Sequence, residues 1–235
     1  MAGECVVGWV RGAPSSSSLR SSLRSLLPPG VRALPGPAVV LAVSYASSPV
    51  GPYLELSVGL PARLGLRPAW CVVFQLVSVA DARLAHRSNW GLPASVGPMV
   101  WDAFDGGDER ELRCAALGLS VRGVPVGPPF PAAVPVRWVQ RRADGPVVVP
   151  RRFVGLVRAA RTEVTWTPPG ASGSGGHGAD VDALLGSLVG SHAGAVLSGV
   201  RILARPARHP AGLWSSLRAP LSVPEPAMSV PDGTS

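Results

Sequence analysis

Short apolar runs separated by glycine and proline dominate the pattern of hydrophobic and polar positions along this chain. Such runs, rich in valine and bounded by turn residues, are typical of β-strands. They predict strands at Val39–Ser44, Tyr53–Leu60, Trp70–Val79, Arg110–Val121, Val134–Gln140, Val154–Trp166 and Ala195–Ala204. Because these strands do not alternate with long helices, a parallel βαβ array is disfavoured. We therefore predict seven or eight strands in a mainly β, α+β fold.

A few segments have helical or turn character instead. Ser18–Leu27 places its leucines at helical intervals behind a capping serine, which predicts a helix. Asp81–Arg87 predicts a single helical turn, followed by a glycine- and proline-punctuated loop at Ser88–Pro98. Val124–Pro135 predicts a proline-rich connection, and Asp180–Val189 predicts one more short helix. The predicted helices are few and short, so they flank the strands.

The composition indicates one globular domain. Hydrophobic residues make up 46% and charged residues 15% of the 235 residues, so the chain is not intrinsically disordered. We predict a single domain over residues 1–221 and a disordered, proline-rich tail over residues 222–235. The longest apolar run, around Pro37–Val43, is too short to cross a bilayer. We expect a cytoplasmic protein without a secretory leader or a membrane partner.

The positive charge of the chain has two interpretations. The net charge is +8, and every one of the 22 basic residues is arginine, so the sequence contains no lysine. Arginine-rich basic proteins often bind nucleic acids. The arginines here are nevertheless spread along the whole chain, and two tyrosines and four phenylalanines offer little surface for stacking bases. We therefore favour arginine as a compositional surface residue and keep nucleic-acid binding as an alternative.

The common metal and cofactor motifs are weak or missing in the sequence. The three cysteines, Cys5, Cys71 and Cys114, form no C-x-x-C pair, and no histidine stands at a metal-ligand spacing. Gly173–Gly178 matches G-x-G-x-x-G, but Pro168–Pro169 interrupts the preceding strand and no acidic residue follows about 20 residues later. We expect a surface loop there, and no metal and no cofactor. The cysteine spacing fits a reducing cytoplasm.

Two motifs separated by a hydrophobic strand are more informative. The first is V-G-P-Y-L-E at Val50–Glu55, and the second is H-R-S-N-W-G-L-P-A-S at His86–Ser95. In order and separation they resemble the acetoacetate decarboxylase family, with its G-x-Y-x-E strand and its G-R-E-x-x-G-x-P-K-K loop. The resemblance implies a cone-shaped β-barrel or sandwich with a few short flanking helices, assembled into homo-oligomers. It also implies a lysine that forms an imine with a keto acid beside a glutamate that acts as an acid–base group.

The resemblance assigns functional positions residue by residue. Glu55 matches the family glutamate, and Arg87 matches a loop position. Ala94 stands where the imine-forming lysine is expected, and Ser95 stands at the second lysine. A methyl group cannot attack a carbonyl, and this sequence offers no other lysine. The resemblance therefore predicts a divergent, pseudoenzyme-like relative that does not decarboxylate through a lysine imine.

Several functions remain open for such a site. We predict a pocket that binds a small organic acid or carbonyl compound, lined by Tyr53, Asn89, Trp90 and Ser95, with Arg87 as a carboxylate clamp or a partner of Glu55. A buried Glu55–Arg87 ion pair that only organises the barrel is an equal alternative. A non-covalent lyase, hydratase or hydrolase with Glu55 as acid–base is a further one. Whether the protein is an enzyme stays open.

Overall fold

The computed structural model describes residues 1–10, 27–103, 108–168 and 179–204, and these ranges contain twelve strands and two α-helices. The strands are β1 (Ala2–Val10), β2 (Val31–Ala33), β3 (Ala38–Ser47), β4 (Tyr53–Leu64), β5 (Arg67–Val77), β6 (Ala94–Val96), β7 (Val100–Ala103), β8 (Arg110–Cys114), β9 (Leu119–Pro125), β10 (Phe130–Arg142), β11 (Gly145–Trp166) and β12 (Gly190–Ala204). The helices are α1 (Ala80–Trp90) and α2 (Ala179–Ser187), and Ala115–Leu117 forms a 3-10 turn.

The sheet closes on itself to form a barrel. Its hydrogen-bonded order runs β10, β5, β4, β3, β1, β12, β11, and β11 pairs again with β10. The second half of β11 stays paired with β12 and also pairs with β9, from which β8 and β7 extend the sheet beyond the ring. The short strands β2 and β6 add to β4 and β5. The prediction of a mainly β, barrel-like fold with short flanking helices is confirmed.

One central strand, β1, was absent from the sequence prediction. It lies between β3 and β12, and it pairs with both in antiparallel register. Cys5, Val6 and Val10 on this strand are fully buried. A strand covered on both faces has no clean alternation of apolar and polar residues, so period-two patterning does not mark it.

The strand β10 begins inside the predicted proline-rich connection. Pro131 and Pro135 are both paired with β11. Around these two prolines β10 is paired with β11 on one edge, and β5 pairs with its other edge only further along, at Trp138. Proline is tolerated where one edge of a strand is unpaired, because its missing N–H then removes no ladder bond. The predicted loop is therefore wrong over its second half.

The predicted strand Arg110–Val121 is two strands joined by a 3-10 turn. Gly118 ends that turn with φ +60, a left-handed conformation that glycine adopts without cost. A Cβ atom at this position would lie 2.0 Å from the carbonyl oxygen of Thr167. The chain reverses here, so β8 and β9 form an antiparallel hairpin.

The predicted turn at Asp81–Arg87 is a helix of 11 residues that continues through the first part of the predicted loop. It ends at Gly91, whose φ is +66 and whose amide donates to the carbonyl of Arg87. A Cβ atom at Gly91 would meet the carbonyl oxygen of Arg141 at 2.2 Å, so glycine permits α1 to approach β10. After a short turn the chain enters β6 instead of a loop.

The apolar side chains form two clusters, one on each side of the barrel wall. The outer cluster lies between the wall, β8, β9 and α2, and it includes Leu56, Leu112 and Leu184. The inner cluster fills much of the barrel and includes Tyr45, Phe153 and Ile202. Neither described helix has the length and apolar content of a membrane span.

Some predicted segments cannot be compared with the structure. The predicted Ser18–Leu27 helix falls almost entirely outside the described residues, and the Gly173–Gly178 motif and the 222–235 tail lie wholly outside them. The predicted helix at Asp180–Val189 corresponds to α2, displaced by one or two residues at its ends.

Candidate functional site

A cluster of buried polar side chains lies inside one end of the barrel. Tyr53, Glu55 and Ser57 alternate along β4 and therefore face the same side of the sheet. Gln75 on β5 is the direct partner of Ser57, and His86 approaches from α1. All five side chains are buried, and Glu55 and Gln75 are completely so. Buried polar groups of this kind require hydrogen-bond partners.

The carboxylate of Glu55 accepts hydrogen bonds from three neutral donors. The hydroxyl of Ser57 donates to Oε1 over 2.8 Å, and the Gln75 Nε2 amide donates to the same oxygen over 2.8 Å. The hydroxyl of Tyr45 donates to Oε2 over 3.1 Å. Burial is the main cause that raises the pKa of Tyr45 well above its usual value, and the nearby Glu55 charge adds to it. Tyr45 therefore remains a protonated donor.

The predicted ion pair between Glu55 and Arg87 is not formed. Arg87 is exposed, and its Nε donates to the main-chain carbonyl of Ala94 over 2.9 Å. Successive residues on a helix point about 100° apart, and α1 turns His86 rather than Arg87 toward the barrel. The His86 Nε2 atom lies 4.0 Å from Oε2 of Glu55.

His86 is a neutral imidazole in this network. Gln75 donates through its amide nitrogen to Glu55, so its carbonyl oxygen accepts from His86 Nδ1, 2.9 Å away. The His86 Nε2 atom is then free to accept from the hydroxyl of Tyr53 over 3.1 Å. Burial lowers the pKa of His86 to about 4, opposed by the Glu55 charge and assisted by that of Arg151. Tyr53, Gln75 and His86 thus form one hydrogen-bonded chain that ends on Glu55.

Ala94 lies beside this chain. It is the direct partner of Gln75 in the parallel pairing of β5 and β6, and it is fully buried. Directly paired residues place their side chains on the same face of a sheet. Ala94, Gln75 and Ser57 therefore form one row across three strands, next to the carboxylate of Glu55.

A pocket of about 340 Å³ opens on the outer side of the polar cluster. Three of the predicted ligand-binding residues, Tyr53, Asn89 and Trp90, line it together with His86. Ser95 and Arg87 are exposed and are not part of its lining. The sequence motifs thus bring together part of the predicted set.

A second cavity of about 230 Å³ lies within the barrel and is almost entirely apolar. Among its described lining residues Ser57 is the one hydroxyl-bearing side chain, and Ser57 joins the cavity to Glu55. Trp9 and Val134, which are partly exposed, form its outer rim. The lining comes from strands far apart in the chain, so no local sequence pattern indicated it.

Arg151 is the functional candidate that the sequence analysis missed. Only 3% of it is exposed, and its guanidinium carbon lies 3.8 Å from the ring centre of Trp138 and 4.8 Å from that of Trp90. Its three nitrogen atoms form no hydrogen bond with any described residue. One signal was available: the period of two places Arg151 on the same face as Val149 and Phe153, so it is an arginine within an apolar row.

The overall architecture is shared with several solved structures. One is the enduracididine biosynthesis enzyme MppR complexed with pyruvate, which aligns with a TM-score of 0.59 and 16% identity over 87% of this chain and 88% of that chain. Another is acetoacetate decarboxylase from Legionella pneumophila, with a TM-score of 0.51 and 12% identity over 86% of this chain and 85% of that chain. The chain has the acetoacetate decarboxylase-like fold.

A third structure with this fold is an acetoacetate decarboxylase-like enzyme from Sphingomonas wittichii RW1, at a TM-score of 0.51 and 14% identity over 86% of this chain and 91% of that chain. No protein-family model and no curated protein matches the chain in sequence. At these identities the acetoacetate decarboxylase-like fold is established, and chemistry must be argued from the residues present.

Proposed function

We propose that the chain binds a small organic acid or carbonyl compound non-covalently in the barrel, as a divergent acetoacetate decarboxylase-like protein that forms no lysine imine. The observation that carries the proposal is the apolar cavity of about 230 Å³ whose Ser57 hydroxyl joins the Glu55 network. Pockets for small molecules combine an apolar lining with a few fixed polar groups. This cavity has the apolar lining, and Ser57 supplies one fixed polar group among its described lining residues.

Covalent chemistry on a lysine has no residue to use in this sequence. Ala94 occupies the position of the imine-forming lysine in the motif resemblance, and the 235 residues contain no lysine. The MppR structures are described with pyruvate and with a condensation product of pyruvate and imidazole 4-carboxaldehyde. These ligands support a small acid or carbonyl compound as the class to test for this barrel.

The environment of Glu55 favours binding over acid–base catalysis. Its side chain is fully buried, lines neither of the two cavities, and has both oxygens engaged by hydrogen bonds. A general base must reach the proton it abstracts, directly or through one water. We therefore propose that Glu55 orders the polar cluster and does not exchange protons with a ligand.

Ion pairing of arginines on β8 and β9 argues against the nucleic-acid alternative. Arg110 bonds to Glu4 over 2.8 Å, and Arg122 bonds to Glu109 over 2.6 Å. Guanidinium groups held by carboxylates contribute little to a phosphate-binding surface. A titration against DNA and RNA at low salt should show no binding, and tight binding that weakens steeply with salt would support the alternative instead.

The direct test combines trapping with a cavity-filling variant. We expect borohydride reduction in the presence of keto acids to leave every side chain unmodified, because the sequence contains no lysine. Val157→Phe, which narrows the cavity, should weaken binding of small organic acids and carbonyl compounds at least about tenfold, because a full cavity cannot admit them. Val126→Phe places the same ring on an exposed site and is the control.

Two outcomes would contradict the proposal. A covalent adduct on a side chain after reduction would show imine chemistry without lysine. Equal binding by the wild type and Val157→Phe, measured by calorimetry and native mass spectrometry, would place the ligand outside the cavity.

A further inference from the structure

The guanidinium of Arg151 carries a charge that the described residues leave without a hydrogen bond. Its Nε, Nη1 and Nη2 atoms are buried and have no hydrogen-bond partner within the part of the chain that the structure describes. Arginine stays protonated in proteins, so it cannot escape burial by losing its charge. A buried charge of this kind requires an anionic or strongly accepting partner.

The side chains around Arg151 contact the guanidinium as rings and leave its N–H groups available for that partner. The guanidinium carbon lies over the indole rings of Trp138 and Trp90, 3.8 and 4.8 Å from their centres. Cation–π attraction to the rings stabilises the charge but supplies no hydrogen-bond acceptor for the N–H groups. The N–H donors point outward in the plane, where a carboxylate accepts two of them in parallel.

The charged and titratable groups around Arg151 do not supply this acceptor. Glu55 is close enough to Arg151 for both charges to influence the pKa of Tyr53 and of His86. The carboxylate oxygens of Glu55 nevertheless accept from neutral donors, and no described arginine bonds to them. Tyr45 and Tyr53 remain protonated, and burial keeps His86 neutral. The neighbouring Arg152 is exposed on the opposite face of β11.

Arg151 is also surrounded by residues that line the apolar cavity. Val136 is its direct partner across β10, Phe153 follows it on the same face of β11, and Trp138 stacks on it. All three line the cavity of about 230 Å³. An apolar cavity of about 150 Å³ is large enough for benzene. A phenyl ring with a short chain is therefore within the size range of this space.

We propose that Arg151 clamps the carboxylate of a hydrophobic monocarboxylic acid, whose aryl or branched alkyl body fills the barrel cavity. The inference rests on the proposed function. It adds that Arg151 selects a ligand with a carboxylate, and that the ligand must carry a large apolar group. Arg151 is a binding residue here, and no bond is made or broken. The two indoles must shift for the carboxylate to reach the buried N–H groups.

The test compares three probes by calorimetry on the full chain: 3-phenylpropionate, its neutral amide 3-phenylpropanamide, and propionate. We expect 3-phenylpropionate to bind about 10- to 100-fold more tightly than the amide, because a charge-assisted bidentate contact is lost. Propionate should bind more than about tenfold more weakly than 3-phenylpropionate, because it leaves the apolar cavity unfilled.

Variants at two adjacent positions assign the effect to one side chain. Arg151→Met should weaken binding of 3-phenylpropionate about 10- to 100-fold, and its affinity for the amide should stay within about threefold of the wild-type value. Arg151→Lys should retain part of the affinity, because a point charge replaces the fork. Arg152→Met removes a neighbouring exposed charge and should change neither affinity. Thermal melts confirm that each variant is folded, and the probe series on wild type stands if Arg151→Met does not fold.

The possible failures are distinguishable. Equal affinity for the acid and the amide, or undiminished acid binding by folded Arg151→Met, would overturn the clamp while leaving the proposed function intact. If propionate binds as tightly as 3-phenylpropionate, the ligand does not need a large apolar group, and that part of the inference is wrong. If the wild type binds none of the three probes and no other small organic acid or carbonyl compound, the proposed function and the inference both fall.

Discussion

Gln75 and Ala94 are direct partners where β5 and β6 pair in parallel, and both are fully buried. Gln75 donates to the carboxylate of Glu55 over 2.8 Å. The Cβ atom of any side chain at position 94 therefore lies next to Gln75, which holds the Glu55 carboxylate in place. Gln75 lies outside both motifs that resemble the acetoacetate decarboxylase family, and it links them, because it contacts Ala94 of the second motif and donates to Glu55 of the first.

Ala94→Lys should place an amine beside the Glu55 network and make the barrel reactive toward keto acids. A buried lysine loses charge readily, and a neutral amine is the nucleophile that imine formation needs. We expect a borohydride-trapped adduct with pyruvate in the mass spectrum, and a loss of about 1–3 kcal/mol in the free energy of unfolding from overpacking. Ser95→Lys, one residue away and exposed, should be stable and form no such adduct at comparable rate. An adduct on both variants alike would deny that position 94 is special.

Glu55→Gln should destabilise the fold. The glutamine amide would turn an N–H₂ group toward at least one of the donors Tyr45, Ser57 or Gln75, and a buried donor would be left without an acceptor. We expect a loss of about 1–3 kcal/mol in urea denaturation. Glu163→Gln, which removes a partly exposed ion pair with Arg161, should cost less than about 1 kcal/mol. Similar costs for the two variants would show that the buried network contributes little.

Stability should fall as the pH drops from about 6.5 toward 4. Burial lowers the pKa of folded His86 to about 4, from an unfolded value of 6.5. Between these values the unfolded chain binds more protons at this site, so acid favours unfolding, by up to about 3 kcal/mol. Urea unfolding from pH 7.5 to 4.5 should show a shallower pH dependence in His86→Asn than in wild type. His192→Asn is the control, and a His86→Asn profile parallel to wild type would refute the assignment.

Gly91→Ala should lower the free energy of unfolding more than Gly65→Ala, because Gly65 lies in a turn with open space around an added Cβ atom. Gly91 has φ +66, and a new Cβ would lie 2.2 Å from the carbonyl oxygen of Arg141. Gly65 has φ +59 with no heavy atom within 4 Å of the added Cβ. Gly65→Ala should lose about 1 kcal/mol from the left-handed backbone alone, and Gly91→Ala should lose clearly more. Equal melting temperatures for the two variants would show that α1 can move away from β10 at no cost.

The orientation of α1, that is, which of its side chains face the barrel, explains why the site was only partly predictable. The Glu55 strand and the loop with Ala94 were found from their motifs, and they do lie together. Arg87 was predicted either as a carboxylate clamp or as a partner of Glu55, and the pair with Glu55 is not formed. The sequence predicted α1 as one turn, so its inward face was unknown. With the helix complete, His86 and Trp90, four residues apart, face the barrel.

The sequence by itself determined the mainly β class, the two motifs of the site and the absence of lysine, since these depend on residue identity and short-range periodicity. Only the tertiary structure decided the closure of β5 onto β10 at Trp70 and Trp138, the cavity inside the barrel, and the burial of Arg151 against two indoles. Closure joins strands more than 60 residues apart in the chain through register and twist. Such pairings leave no periodic signal in a single sequence, so the side chains that face each other across a barrel emerge only when it is folded.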